Sequence, residues 1–183
     1  NCSPLFSNED EAVQSLNSIA DYYLHHNLEI QNSQDDSVIR FSGKNKQKIV
    51  LRRARGLAPN INNFHGNKIS EKILCLGAAL KNTITISLKQ QIYLSEYIGN
   101  VLNYDTYKRF EKRIQNYQLF FDFVPQTIVY DKHPDFENNK IIPYFLKENP
   151  CLKKIKIQHH EAHFSAILGE KNLWKKSKIL GVI

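Results

Sequence analysis

The chain of 183 residues contains no methionine, one tryptophan and three cysteines. Each scarcity bears on what the protein can be. Cys2, Cys75 and Cys151 are odd in number and share no CxxC spacing, which argues against a disulfide framework or a cysteine zinc ribbon and points to a reducing, cytoplasmic setting. No apolar run approaches the roughly 18–20 residues that a bilayer-spanning helix needs. The first residues, Asn1-Cys2-Ser3-Pro4, have neither the basic start nor the apolar core of a signal peptide. The initiator methionine is missing, and the last residues, Lys178-Ile179-Leu180-Gly181-Val182-Ile183, read as an apolar strand with no turn after it. A piece of a longer chain is expected. Neither an internal repeat nor a low-complexity tract occurs.

What is present suits a folded protein. Apolar residues make up 42% and charged residues 23%, too apolar for wholesale disorder. The length suffices for one medium domain or two small ones, and a domain of this size buries roughly 70% of the surface its unfolded chain exposes. Lys and Arg number 25 against 18 Asp and Glu, a net charge of +7. That balance fits an anionic partner such as a nucleotide, an RNA or an acidic protein, and equally a solvated basic surface.

Hydrophobic periodicity organises the chain into two parts. A capping Ser7 and Asp10 open a helix expected over residues 8–25, with Val13, Leu16, Ala20, Tyr23 and Leu24 on one face. The β-rich runs Ser37–Phe41 and Lys48–Arg52 flank Ser42-Gly43-Lys44-Asn45-Lys46 and read as a hairpin, which the helix is expected to cover. Residues 56–67 are rich in Gly, Pro and Asn and mark a boundary. Beyond it, strands are expected at 73–76, 83–88 and 91–95 as a meander. A helix carrying Tyr107, Phe110, Ile114, Tyr117 and Phe121 follows, its aromatic stripe read as core. A strand at 127–130, a weakly helical stretch at 138–148 containing Pro143, a strand at 154–157, a helix at 159–170 and the terminal strand complete an α/β (α+β) arrangement around a mixed sheet.

Four segments carry possible chemistry. In Gln158-His159-His160-Glu161-Ala162-His163, His159 and His163 are four apart on a helix, so their imidazoles share a face and can grip one zinc or iron ion. The zincin motif His-Glu-x-x-His needs one more residue than this run supplies, and an exposed His-rich helix start is the alternative. Arg52, Arg53 and Arg55 crowd the end of a strand. They suit bidentate binding of phosphate, or serve as an edge-strand charge device. Asp35 and Asp36 can hold Mg2+ or ribose hydroxyls, or simply make a turn. Gly77-Ala78-Ala79-Leu80-Lys81-Asn82-Thr83 joins two strands and can approach phosphate through backbone N–H groups and the Lys81 ammonium, or is an ordinary hairpin turn.

In combination these segments resemble the HypF family of NiFe-hydrogenase maturation carbamoyltransferases. In that family a YrdC-like domain precedes a TsaD-like domain of the ASKHA (actin-like ATPase) superfamily. Asn1-x-Ser3, then Ile19-Ala20-Asp21-Tyr22-Tyr23-Leu24-His25-His26-Asn27, Asp35-Asp36-Ser37-Val38 and Arg52-Arg53-Ala54-Arg55-Gly56-x-Ala58-Pro59 are similar to the last third of the YrdC-like domain. Leu76-Gly77-Ala78-x-Leu80-Lys81-Asn82-Thr83, Ser95-x-x-Ile98-Gly99, Asp131-x-His133-Pro134-Asp135 and Gln158-His159-His160-x-Ala162-His163 are similar to the start of the TsaD-like domain. The chain departs from the family at Ala79, where members carry Glu or Asp, and at Pro4, where they carry Gly.

The resemblance implies residues 1–59 as the C-terminal portion of a YrdC-like domain, 60–70 as linker and 71–183 as the N-terminal portion of a TsaD-like domain. It implies that carbamoyl phosphate and ATP, with Mg2+, form carbamoyl adenylate at the first site. The second site then passes the carbamoyl group to the C-terminal cysteine of a partner, HypE, for synthesis of the cyanide ligand of the hydrogenase iron. Asn1, Ser3, Asp35, Asp36, Arg52, Arg53 and Arg55 are implied at the first site, the arginines neutralising phosphate charge. Lys81 and Asn82 are implied as contacts of the adenylate at the second, and His159 and His163 as ligands of a zinc or iron ion that polarises the transferred group. The family's Asp-Gly-Thr-Gly segment, with an acidic ligand, would follow Ile183, so turnover by these residues alone is not expected. Two other readings share features. A basic nucleic-acid-binding module of YrdC type fits the charge, although the aromatics read as core and no nucleic-acid motif occurs. A related O-carbamoyltransferase or a tRNA threonylcarbamoylation protein shares the chemistry, but the Arg-rich junction running on to Leu80-Lys81-Asn82-Thr83 in one chain argues against it.

Overall fold

The two β-rich runs pair as expected, β1 (Val38–Phe41) antiparallel to β2 (Lys48–Arg52). The turn between them closes through the Ser42 N–H on the Gln47 carbonyl at 3.0 Å and the Gln47 N–H on Ser42 Oγ at 3.0 Å. The computed structural model describes residue 6 and residues 8–63, 69–174 and 178–182. The chain divides into two units, Asn1–Gly56 and Leu57–Ile183.

In the first unit the helix is shorter than its periodicity suggests. α1 spans Glu9–Leu16, capped by Asn8 Oδ1, which accepts the N–H groups of Asp10 and Glu11. Residues 17–25 do not continue it: Asn17 and Ser18 are poor helix formers, and no packed surface overrides them. The expected cover of the hairpin by this helix is absent. α1 buries no residue, and Val38, Ile39, Ile49 and Leu51 are 39–61% exposed. Ala54 is the residue of this unit that is fully buried among those described. An eight-residue helix and two strands carry too little apolar surface to close a core. Asn1 and Ser3 lie outside the described residues.

The second unit is built on a six-stranded mixed sheet in the order β3-β6-β5-β4-β7-β8. β3 is Asn60–Asn63, so part of the expected linker is instead an edge strand, antiparallel to β6. β4 (Ile73–Cys75), β5 (Thr85–Leu88) and β6 (Gln91–Leu94) form the expected meander. β7 (Thr127–Asp131) and β8 (Lys153–Ile157) add on in parallel. The crossover from β6 to β7 is α2 (Tyr104–Phe121), started by Asn103 Oδ1 and stopped by Asp122 in the left-handed region at φ 46°. The crossover from β7 to β8 is a 3-10 turn at Glu137–Ile141 followed by α3 (Ile142–Glu148). Pro143 is accommodated in the first turn of α3, where its missing N–H has no acceptor to lose. α4 (His159–Glu170) follows β8. Residues 178–182 form no strand; apolar composition specifies burial, but a strand also needs a ladder partner.

The core lies between the sheet and α2 and α3. Leu74, Leu76, Ile84, Ile128 and Phe110 are wholly buried, with Ile114, Phe123 and Phe145 within 2% of it. The aromatic stripe is therefore core, as its 3.6-residue spacing implies. One ion pair is enclosed with it. Arg113 of α2 meets Glu96, with side chains 8% and 4% exposed, and the Tyr117 hydroxyl donates to Glu96 Oε2 at 3.0 Å.

Removing the cation would strand the carboxylate in a dry site. Arg113→Ala is expected to cost about 3–5 kcal/mol in urea unfolding, more than Tyr117→Phe, which removes one hydrogen bond to a charged group worth about 1.5–3 kcal/mol. The fold also predicts an alkaline limb of stability. Burial, reinforced by Glu111, raises the Tyr107 hydroxyl to about 12, and burial raises the Cys75 thiol to about 11. Burial, followed by Glu96, raises Tyr117 above its ordinary range. All three folded-state values lie above the unfolded ones, so the unfolded chain loses its protons first. Stability is fully present below about pH 9 and falls as pH rises through the folded values. Urea midpoints measured from pH 7 to 11 check this, and a midpoint that climbs above pH 10 would contradict it.

Candidate active site

Strand pairing brings together the residues at one end of the sheet. Asp131 closes β7 opposite Ile157, the last residue of β8, and the Lys132 N–H reaches the Ile157 carbonyl at 2.9 Å. His159 opens α4 two residues later. The Gln158 N–H donates to Glu161 Oε2 at 3.2 Å, so Glu161 caps the helix rather than standing free as a base. His159 Nδ1 lies 3.0 Å from Asp131 Oδ2. One turn further on, His163 Nε2 lies 3.1 Å from His159 Nε2.

This geometry sets the His159 tautomer. An ionised carboxylate only accepts, so the His159 proton sits on Nδ1 and its bare Nε2 faces His163 Nε2. Two ligands on one tetrahedral ion with bonds of about 2.0–2.1 Å stand about 3.3 Å apart. The 3.1 Å between the two Nε2 atoms is close to that separation. Among the described residues no group of three or more His, Cys, Asp or Glu is placed to hold a metal ion. His160 advances about 100° round the helix and is exposed.

The motif Asp131-x-His133-Pro134-Asp135 by itself implies no role for Asp131. Its side chain is 7% exposed, against 55% for His159. The loop after it is braced. The His133 N–H donates to Asp131 Oδ1 at 2.8 Å, and Asn139 Nδ2 donates to the carbonyls of Asp131 and His133, each at 3.3 Å. The His133 ring stacks on Phe136 at 4.4 Å. A strand that ends in an acid and runs into His-Pro was the available signal. What it lacked was a partner in view.

The turn between β4 and β5 is held from inside. Asn82, 1% exposed, donates through Nδ2 to the carbonyls of Leu76 at 2.9 Å and Ala78 at 2.6 Å. Asn138, wholly buried, donates to Leu76 at 3.1 Å and Gly77 at 2.7 Å. The Asn82 side chain turns inward and clasps the loop, a distinction that a turn sequence does not encode. Gly77 has φ +67°, and a Cβ there would stand 2.4 Å from the Thr83 carbonyl oxygen, so this close approach requires glycine. The Ala79 methyl is 1% exposed, in the core. Lys81 is exposed at φ 51°. Asn82 N–H on the Gly99 carbonyl and Ile98 N–H on the Asn82 carbonyl, at 2.8 and 2.9 Å, tie this turn to the segment after β6.

In the first unit the acidic and basic candidates meet one another. Arg52 Nη1 lies 2.5 Å from Asp35 Oδ2, and Arg52 Nε donates to the Asp36 carbonyl at 2.9 Å. Arg55 Nε lies 3.8 Å from Asp36 Oδ1. Asp35 Oδ1 accepts the Asp36 N–H at 2.8 Å. The carboxylates thus pair with arginines here. Ser37 Oγ, which accepts from Ala54 N–H and donates to the Arg55 carbonyl, locks the cluster to the end of β2.

The family model described as the HypF Kae1-like domain matches residues 68–170, more than half of the chain. The probable carbamoyltransferase HypF of Methanocaldococcus jannaschii is 37% identical over 98% of this chain and 23% of its own length. The carbamoyltransferase HypF of Synechocystis is 35% identical over 94% of this chain and 21% of its own length. The solved structure of T. kodakarensis HypF superposes with a TM-score of 0.81 at 29% identity, covering 94% of this chain and 22% of that one. Full-length HypF in its phosphate- and nucleotide-bound form gives 0.79 at 29% identity, covering 94% and 26%. The chain spans under a quarter of the length of these curated relatives. With a mixed sheet, a matching domain model and a histidine pair at the strand ends, the chain belongs to the HypF family.

Proposed function

We propose that the chain contributes to carbamoyl transfer in NiFe-hydrogenase maturation. In this reading carbamoyl phosphate and ATP, with Mg2+, form carbamoyl adenylate, and the carbamoyl group then passes to the C-terminal cysteine of HypE. The observation that carries it is the convergence of His159 and His163 Nε2 at 3.1 Å, in a chain whose relatives are named carbamoyltransferases. His159 and His163 would hold a zinc or iron ion. A metal in such a place supplies Lewis acidity, polarising a carbonyl or phosphoryl oxygen.

The chain's own residues do the rest. Lys81, exposed on the turn that Asn82 and Asn138 brace, brings an ammonium to the phosphate or adenylate. Arg52, Arg53 and Arg55 would neutralise phosphate charge in the first step, with Arg52 and Arg55 oriented by Asp35 and Asp36. A cytoplasmic setting agrees with Cys75 and Cys151 both being free thiols. No helix among the described residues is long and apolar enough to cross a membrane.

Two measurements test the proposal. In Zn2+ titration by calorimetry, His159→Ala and His163→Ala are each expected to weaken binding at least tenfold, while His160→Ala leaves it unchanged; equal affinity in all three variants would refute the metal assignment. Grafted in place of the matching segment of a full-length HypF, the chain is expected to support labelling of HypE from carbamoyl phosphate. The His159→Ala graft is expected to lose that labelling. Full labelling by the variant graft would exclude His159 from the transfer.

A further inference from the structure

We infer that Asp131 is the positioning residue that decides which nitrogen of His159 is offered to the ion, and that it can do so only as a carboxylate. This rests on the metal-binding reading of His159 and His163 given above. The two oxygens of Asp131 are committed to different donors. Oδ1 accepts the His133 N–H at 2.8 Å, and Oδ2 faces His159 Nδ1 at 3.0 Å. The carboxylate is 7% exposed and sits at the end of a strand whose ladder continues through Lys132 N–H to the Ile157 carbonyl, so it has little freedom to turn. The backbone around it is tied by Asn139 Nδ2 to the carbonyls of Asp131 and His133. A carboxylate satisfies both donors at once, because it is an acceptor at either oxygen. His159 is thereby kept with its proton on Nδ1 and its lone pair on Nε2, pointing at His163 Nε2 3.1 Å away. A carboxylate behind a metal-bound imidazole in this manner also raises the basicity of the ligand.

The consequence is an unusual order of severity. Asparagine has nearly the shape of aspartate but only one acceptor atom. In Asp131→Asn the backbone N–H of His133 claims that oxygen, and the side-chain NH2 is turned toward His159 Nδ1. Nδ1 must then be the bare nitrogen, and the proton moves to Nε2, where it blocks ligation. Asp131→Ala removes the preference without enforcing the wrong tautomer. The asparagine variant, although closer in shape, is therefore the more damaging to metal binding. A role limited to supporting the loop predicts the reverse order.

The test has two arms on the 183-residue chain. Long-range 1H–15N correlation spectra of the metal-free protein report the tautomer of His159. The expected result is Nδ1–H in the wild type, Nε2–H in Asp131→Asn and a mixture in Asp131→Ala. Zn2+ titration is expected to show binding about 10–100-fold weaker in Asp131→Ala, and weaker again in Asp131→Asn. An Nε2–H tautomer in the wild type, or an asparagine variant that binds Zn2+ as well as the wild type or better than the alanine variant, would overturn the inference. If the wild type itself shows no His159-dependent Zn2+ binding, the metal reading fails, and the tautomer spectra still decide whether Asp131 orients His159. Should Asp131→Ala not fold, the comparison of wild type with the near-isosteric Asp131→Asn stands alone and decides in the same way.

Discussion

The parallel register of β7 with β8 is the constraint on which the candidate site depends. It sets Asp131 opposite Ile157 at the ends of the two strands, and α4 begins two residues beyond. A slip of one residue would turn Asp131 to the opposite face of the sheet and break the 3.0 Å contact with His159. Parallel strands place the loops that follow them at the same edge, which is why open α/β sheets collect ligands there. Thr127 and Ile128 at the start of β7 are 1% and 0% exposed, and because successive side chains point to opposite faces, both faces of the strand are packed there.

Buried polar groups do comparable work on the other elements. Asn82 and Asn138 come from a β-turn and a 3-10 turn remote in sequence, yet both donate to the Leu76 carbonyl at the end of β4. A carbonyl left bare in such a place would cost about 1–3 kcal/mol, so the clasp holds the turn in one conformation. The Arg113–Glu96–Tyr117 group acts similarly between α2 and the segment after β6. A buried ion pair contributes little net stability over a well-packed apolar alternative, but losing one partner is expensive. Such groups therefore specify position more than they add stability, and the positions they specify surround the turn that carries Lys81.

The first unit is organised by charge rather than by a core. Its hairpin leaves Phe41 63% exposed and Leu51 61% exposed, while Asp35, Asp36, Arg52 and Arg55 interlock at its base. Pairs this accessible to water are individually weak. Their arrangement fixes the directions of the Arg52 and Arg55 guanidiniums.

The elements of the second unit were legible in the sequence because its signals are local. Alternation, Asn103 at a helix start and an aromatic stripe at helical spacing each report the conformation of neighbouring residues. The pairing of His159 with His163 was legible for the same reason, since helical geometry alone places residues four apart on one face. Periodicity misled where burial did not follow. Tyr23 and Leu24 extend the apolar stripe of α1, but Leu24 is fully exposed and the helix stops at Leu16, because propensity decides when nothing packs against a face. Two further facts came only from tertiary structure. Asn82 points inward, a choice of rotamer that no turn sequence states, and Asp131 reaches His159 across 28 residues of chain. The sequence by itself determined the local conformations and the helical pair. The sheet order decided which carboxylate stands behind that pair, because a contact between the ends of two strands depends on their register and on nothing within either strand.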